Sequence, residues 1–316
     1  MTDPGTKAAR RVQAPCAGNT AVVVVTYHPC EQVCRRIRDL RSQVSHLIVV
    51  DNGSDQAERR MLRSLLQDDT SIELIQNDEN LGVGVALNQA AARALELEKA
   101  WLLCMDQDSQ AGEDLLAQLG QIHATYPHHA CVGMIGSNYV DATGRPAFGC
   151  RDPKAPCQQV PTVITSGSLL SLEAYRCAGP FREDFFIDSV DHEYCLRLRS
   201  CLFEVAISCT PLLNHALGNQ VRYRVPFFRL AVSHHSPLRR YYMTRNRLAL
   251  ARAYFRCEPL WVGRDLAMML FELCFVLLLE PGRGLKLRAF LTGLGHGLWG
   301  PMGRCRVRGL EGEKIG

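Results

Sequence analysis

Two aspartates one residue apart, Asp106 and Asp108, close an apolar run, Ala100-Trp101-Leu102-Leu103-Cys104-Met105. A short apolar segment ended by carboxylates reads as a buried strand that delivers acids to the rim of a sheet. Residues i and i+2 of an extended segment point the same way, so both carboxylates can face one ligand. Hard divalent cations such as Mg²⁺ or Mn²⁺ take carboxylate oxygens and leave other coordination sites to water and phosphate. The pair is thus a candidate cation and diphosphate clamp, with Asp108 the direct ligand and Asp106 a ribose or second contact. Taken alone, the same residues also suit a surface turn with Ser109 as a helix N-cap.

A second acidic block lies downstream, where Phe185-Phe186-Ile187 leads into Asp188, Asp191 and Glu193 at the start of a helical pattern. The helix dipole explains any one acid there, but three beside another acidic site need cations or hydroxyls to balance them. A carboxylate in this block could take the proton from an attacking hydroxyl. His215 follows another apolar run; it is either a structural imidazole, a metal ligand or a phosphate donor. From Gly218 to Pro259 nine arginines face one acid, Glu258. Guanidinium groups pair well with diphosphates, and Arg239-Arg240-Tyr241-Tyr242-Met243-Thr244-Arg245-Asn246 puts polar residues where a helix would carry a core stripe.

The elements that must carry these residues alternate. The β-branched run 21–27 precedes a helical pattern over 31–41, and the strand 47–50 precedes another through Leu66. Strands at 72–75, 102–105 and 131–135 alternate with helices over 82–97 and 115–122. This order predicts an α/β, doubly wound and mainly parallel sheet, Rossmann-like, with ligands beyond the carboxyl ends of its strands. Asp51 and Asp106 both fall at such ends. Gly82-Val83-Gly84 is not a dinucleotide fingerprint, because Leu87 stands where the third glycine should be. Residues 137–162 form a loop-rich excursion, a natural place for acceptor contacts or a mere edge hairpin; 164–170 return to strand character and 173–177 to a short helix.

A net charge of +4 is too mild to imply nucleic acid. Fourteen cysteines without a C-x-x-C pair exclude a zinc ribbon, and scattered positions such as Cys30, Cys104, Cys131, Cys195, Cys201, Cys209 and Cys274 predict reduced core thiols of a cytoplasmic protein. Residues 1–19 read as a disordered tail with no secretory signal. The apolar stretch 266–279 is too short to span a bilayer. With Arg283, Lys286 and Arg288, the tail from 258 to 316 suits either a helix lying on an anionic membrane or one that packs in a core or dimer.

Several motifs recur in order: Val50-Asp51-Asn52-Gly53-Ser54, Asn80-Leu81-Gly82, Asp106-Gln107-Asp108-Ser109, Thr165-Ser166-Gly167, the block from Phe185 to Arg197, His215-x-x-Gly218, and Arg239 to Asn246. Over residues 20–257 this set resembles the rhamnosyltransferases of glycosyltransferase family 2. The resemblance implies a GT-A fold over 20–216, an arginine-rich segment over 217–257 closing the donor site, and inverting transfer of L-rhamnose from dTDP-L-rhamnose with Mg²⁺ or Mn²⁺. It makes Asp51 the nucleotide-contacting acid, with Thr26, Tyr27, Asn52, Asn80, Gly82 and Asn88 beside it. Asp106 and Asp108 become the donor-phosphate and metal motif, Asp191 the base, and Glu193 its support or that of the acceptor. His215 joins the metal shell, and Arg239, Arg240, Tyr241 and Arg245 join the diphosphate side. Ser189-Val190 stands where the family more often carries a bulky or acidic residue. The implied acceptor is a lipid-linked saccharide, such as a polyisoprenoid-linked O-antigen or capsule precursor, or a mono-rhamnolipid, at the inner face of the membrane. A UDP-hexose transferase of the same fold and a noncatalytic sugar-nucleotide-binding assembly protein are the alternatives.

Overall fold

The computed structural model describes residues 13–66, 69–140, 144–152, 154–215, 220–225 and 228–310; at 65–66, 214–215, 220–225 and 228–233 it describes the backbone alone. Four parallel strands, β1 (Thr20–Thr26), β2 (His46–Asn52), β3 (Ile72–Asn77) and β4 (Trp101–Asp106), form one half of a mixed sheet. The short β5 (Ser109–Ala111) lies at its far end. Between β4 and β6 (Val132–Val140) sits β8 (Ser168–Ser171), antiparallel to both. Beyond β6 runs the parallel β9 (Glu204–His215), which pairs with β5 and with β7 (Cys157–Gln159). The order β3-β2-β1-β4-β8-β6-β9-β5 has helices on both faces, the mainly parallel α/β architecture expected.

The period-2 alternation of the strands divides the core into two layers. Val23, Ile48, Val50, Leu102 and Cys104 face Ala86, Leu87, Ala90 and Ala94 of α3 (Val83–Glu96) and Leu198 of α6 (Val190–Ser200). Val22, Val24, Leu47, Leu103 and Met105 face Val33, Ile37 and Leu40 of α1 (Glu31–Arg41) and Leu115, Leu116 and Leu119 of α4 (Leu115–Thr125). With both faces covered, β1, β2 and β4 can be apolar at nearly every position. The rim where β1, β2 and β4 end is therefore held rigidly.

Several expectations change. Residues 13–19 belong to the domain and not to a tail, since Trp101 Nε1 donates to the Gln13 carbonyl at 2.9 Å and Asn19 accepts the backbone N–H of Ala100 and Trp101. The strand at 164–170 begins only at Ser168; Thr165-Ser166-Gly167 is a turn with Gly167 at φ +71°. The cysteines are not uniformly core thiols. Cys104 and Cys195 are buried, whereas Cys30, Cys131, Cys201 and Cys274 are exposed and Cys209 is joined to Cys150, tying the loop-rich excursion to β9.

Three helices follow the sheet: α7 (Pro237–Tyr254), α8 (Pro259–Leu279) and α9 (Arg283–Trp299). α9 approaches α7 through Gly293 and Gly297, where a Cβ would lie 2.8 Å from the Tyr241 carbonyl oxygen and 2.6 Å from that of Arg245. This face of the tail is thus a packing face. α8 exposes Leu260, Met268, Leu270, Phe271 and Leu278, and no helix among the described residues is long and apolar enough to cross a membrane.

Candidate active site

Four turns meet at the carboxyl ends of the strands. The first joins β4 to β5. Asp106 is the last residue of β4, and Gln107 and Asp108 form a turn; the pair is neither an extended i, i+2 couple nor a helix cap. The middle residue fixes the geometry. Gln107 accepts from Tyr27 N–H at 3.0 Å and donates to the Tyr27 carbonyl at 2.9 Å, while Arg36 donates to the Gln107 carbonyl. This two-point lock ties the end of β4 to the end of β1 and leaves Asp108 exposed.

The turn 165–167 bridges the two acidic groups. Ser166 Oγ accepts from Asp106 N–H at 3.3 Å and donates to Ser109 Oγ at 2.6 Å, while Thr165 N–H donates to Asp191 Oδ2 at 3.2 Å. Gly167 cannot be replaced cheaply, because a Cβ would lie 2.4 Å from Leu213 Cδ1. Asp191 sits in the first turn of α6, where its Oδ1 also accepts the N–H of His192. Asp188 precedes it and pairs with Arg239 of α7 at 3.2 Å.

Electrostatics show that these groups share one site. Burial first, then the charges of Asp108 and Asp191, push the Asp106 carboxyl up to about 7, against the opposing pull of Arg239. Burial also raises Asp188, with Arg239 opposing. Asp106 thus feels the charges of Asp108 and Asp191, while Arg239 acts on Asp106 and pairs with Asp188. Oxygen ligands with mutual repulsion suit a hard divalent cation, so the residues present fit one.

A pH dependence follows. The folded protein holds a proton on Asp106 that the unfolded chain, with an ordinary carboxyl value of 3.8, releases at lower pH. This group's contribution to stability is full below that value and is lost as pH rises toward and through about 7. Thermal unfolding in a chelator should show a Tm that falls between about pH 5 and about pH 8, and Asp106→Asn should flatten that fall. Equal slopes for the two proteins would remove Asp106 as its source.

The nucleotide-side residues separate into two kinds. Asp51, fully buried at the end of β2, accepts from Ser54 Oγ and lies 3.5 Å from Thr26 Oγ1; its Oδ2 is 3.5 Å from Arg59 Nε but accepts no hydrogen bond. The Arg59 guanidinium is thus the charge facing this buried oxygen. Asn52, Asn80 and Gly82 instead build the neighbouring loop. Asn52 Nδ2 donates to Asn80 Oδ1 and to the Gly82 carbonyl, both at 3.1 Å, and its Oδ1 accepts from Leu81 N–H. Gly82, at φ +91°, lets this loop touch the turn before α6, since a Cβ would lie 2.7 Å from the Phe186 carbonyl oxygen. Asn88 is a staple in the interior, bonded to both backbone groups of Phe181, to Glu183 and to Tyr175.

The structure separates other predicted residues from the acids. Glu193 is two residues beyond Asp191 on a helix, about 200° around its axis, and its carboxylate is buried against Arg197 at 2.8 Å and the Tyr254 hydroxyl at 2.9 Å. Arg240 pairs with Glu280 at 2.7 Å and Glu272 at 3.2 Å, Tyr241 bonds His296, and Arg245 is enclosed among backbone carbonyls. Of the four α7 residues predicted on the diphosphate side, Arg239 is the one brought to the acids. His215 is placed by its backbone opposite Ser109 on β5, next to the Asp108 turn; its side chain lies outside the described structure, as does part of the 217–257 segment. Gln107 and Ser166 fix the site without being among the expected site residues, although each lies inside one of the ordered motifs. His28, Asp55 and Glu58 also cluster, but Asp55 and Glu58 form a capping box at the start of α2 (Gln56–Leu66), and Glu58 also bonds His28.

A mainly parallel sheet with acids at its strand ends and a helical C-terminal extension is the GT-A arrangement. The glycosyl transferase family 2 model matches residues 21–176, which contain the strands from β1 to β8 and the Asp106 turn, and the chain is a glycosyltransferase. Over 245 residues the chain is 28% identical to the dTDP-rhamnosyl transferase RfbF of Shigella flexneri, covering 74% of this chain and 80% of the relative. The resemblance to family 2 rhamnosyltransferases read from the motifs therefore stands. Among solved structures, S. aureus TarS 1-349 superposes with a TM-score of 0.56 at 15% identity, covering 88% of this chain and 80% of that one. The mannosyltransferase PcManGT of Pyrobaculum calidifontis, in complex with GDP-Man and Mn²⁺, gives 0.53 at 14% identity, covering 89% and 87%. At these identities the likeness is one of fold.

Proposed function

We propose that this glycosyltransferase moves L-rhamnose from dTDP-L-rhamnose to a hydroxyl of a lipid-linked acceptor, with inversion at the anomeric carbon. The observation that carries the reading is the single acidic site itself: Asp106 and Asp108 on one turn and Asp191 on another, bridged by Thr165-Ser166. The similarity to a dTDP-rhamnosyl transferase supports the donor.

In this reading Asp51 lies on the nucleotide side, and Asp106 and Asp108 would hold Mg²⁺ or Mn²⁺ with the donor. When bound, the cation would neutralise charge on the leaving diphosphate. Arg239 closes the same side and adds a guanidinium to the diphosphate oxygens. Asp191 takes the proton of the acceptor hydroxyl as its oxygen attacks the anomeric carbon and the bond to dTDP breaks. The Thr165 and His192 amides fix the carboxylate for that attack. The exposed apolar face of α8, with Arg264 on it and the exposed Arg283 just beyond its end, suits peripheral contact with an anionic membrane that carries the acceptor.

Calorimetric competition tests the donor. With Mn²⁺ present, dTDP-L-rhamnose should displace dTDP from the site and UDP-hexoses should do so about tenfold or more weakly. Preferential binding of a UDP-hexose would replace the rhamnosyl reading with the hexosyl one.

A further inference from the structure

The turn that delivers Asp188 and Asp191 holds an unfavourable backbone. Phe186, Asp188 and Ser189 have φ of 65°, 63° and 61°, the left-handed region that L-residues avoid. Three such residues within four persist only where their surroundings over-determine them. Here the surroundings are two adjacent residues of α7. Asn246 Nδ2 donates to the carbonyls of Phe185 at 3.0 Å, Ile187 at 2.8 Å and Asp188 at 2.8 Å. Arg245 Nη2 donates to the carbonyls of Asp184 at 3.2 Å and Phe185 at 2.9 Å, its Nη1 donates to Gly303, and its Nε donates to Asn246 Oδ1 at 3.0 Å, which orients the amide. The Tyr242 ring stacks on Phe186, and from the opposite side Val83 N–H donates to the Phe186 carbonyl at 2.8 Å.

Arg245 and Asn246 are both fully buried, so neither meets the solvent side from which a donor would enter. Their donors end on the turn, on Gly303, on each other and, for Arg245, also on Tyr241. A buried guanidinium spent on backbone carbonyls is worth keeping where it fixes a conformation the chain would otherwise leave. The conformation fixed is the one that sets Asp188 against Arg239 and starts α6 with Asp191 facing the 165–167 turn.

We propose that Arg245 and Asn246 are positioning residues for the proton chemistry: they hold residues 184–189 in the left-handed turn that aims Asp191 at the acceptor. This rests on the reading of Asp191 as the base.

Asn246→Ala is therefore expected to lower kcat by about a hundredfold while changing the dissociation constant of dTDP in Mn²⁺ by less than about threefold. Ser189→Gly alone should turn over near the wild-type rate, since glycine takes positive φ without strain. Added to Asn246→Ala, it should recover about tenfold of the lost kcat, because the turn then needs less holding. Three results overturn the proposal: a kcat for Asn246→Ala within about threefold of wild type, a loss confined to dTDP affinity, or no recovery in the double variant. If Asn246→Ala does not accumulate as folded protein, Asn246→Ser keeps one donor and is read by the same criteria in the presence and absence of Ser189→Gly. Failure here differs from failure of the base assignment: Asp191→Asn with normal turnover removes the base, whereas a fully active Asn246→Ala removes only the positioning.

Discussion

Asp191→Asn is expected to lower kcat for sugar transfer about a thousandfold and to leave dTDP binding nearly unchanged. The substitution keeps size and shape, and the amide oxygen can keep one of the two backbone bonds, since Thr165 N–H donates to Oδ2 and His192 N–H to Oδ1. What it loses is the capacity to receive a proton. An acceptor hydroxyl that attacks while still protonated builds positive charge on its oxygen, and a positioned carboxylate is what removes it. Asp191 is separated from the donor acids by the 165–167 turn, so ground-state binding on the Asp106 side should persist. Steady-state rates with saturating donor, paired with calorimetry of dTDP, check both halves. A variant with turnover near wild type would place the base elsewhere, with Asp188 the next carboxylate in the cluster.

The second large effect concerns the donor side. Asp108→Asn should weaken Mn²⁺-dependent binding of dTDP by about a hundredfold and lower kcat/KM at least as much. Asp108 is exposed and its charge is among the causes of the raised Asp106 carboxyl, so its loss has two consequences. One ligand oxygen loses its charge, and the Asp106 carboxyl titrates lower. The variant should thus be more stable than wild type in chelator near pH 8, roughly where Asp106 carries its charge in both, yet gain less from added Mn²⁺. Thermal unfolding with and without Mn²⁺ reads this directly. Equal stabilisation of both proteins by Mn²⁺ would remove Asp108 from the cation site.

The resemblance, carried by short ordered motifs, pointed to the right class, and the apolar periodicity pointed to the right sheet. Val22 to Val25 and Leu47 to Val50 read as strands covered on both faces because every position is apolar, and both are buried throughout or nearly so. Asp51 and Asp106 were legible as rim residues because each ends such a run. The arginine-rich stretch misled, for a reason that lies in three dimensions. Among the described residues, part of its charge surplus is balanced in three dimensions. Asp188, Asp265, Glu272 and Glu280 come from other elements and pair with Arg239, Arg247 and Arg240. The guanidinium groups of Arg240 and Arg247, which look available for phosphate, are committed to helix packing. Other signals lie in residue spacing. Glu193 and Arg197 stand at i, i+4, the spacing of a helical ion pair, and Gly293 and Gly297 stand at the spacing that lets two helices approach closely. Asn88 carried no local signal, because both backbone groups it serves at Phe181 are more than ninety residues away.

The division of one acidic site into a donor side at Asp106 and Asp108 and an acceptor side at Asp191 is tested most directly by turnover itself. The measurement is dTDP release, followed by phosphorus NMR, from dTDP-L-rhamnose incubated with Mn²⁺ and fractionated membrane lipids. Wild-type protein should release dTDP in step with the appearance of a rhamnosylated lipid of inverted anomeric configuration; Asp191→Asn should bind the donor and release none above background. Release without transfer to any lipid hydroxyl, retention at the anomeric carbon, or equal release by Asp191→Asn would contradict the account.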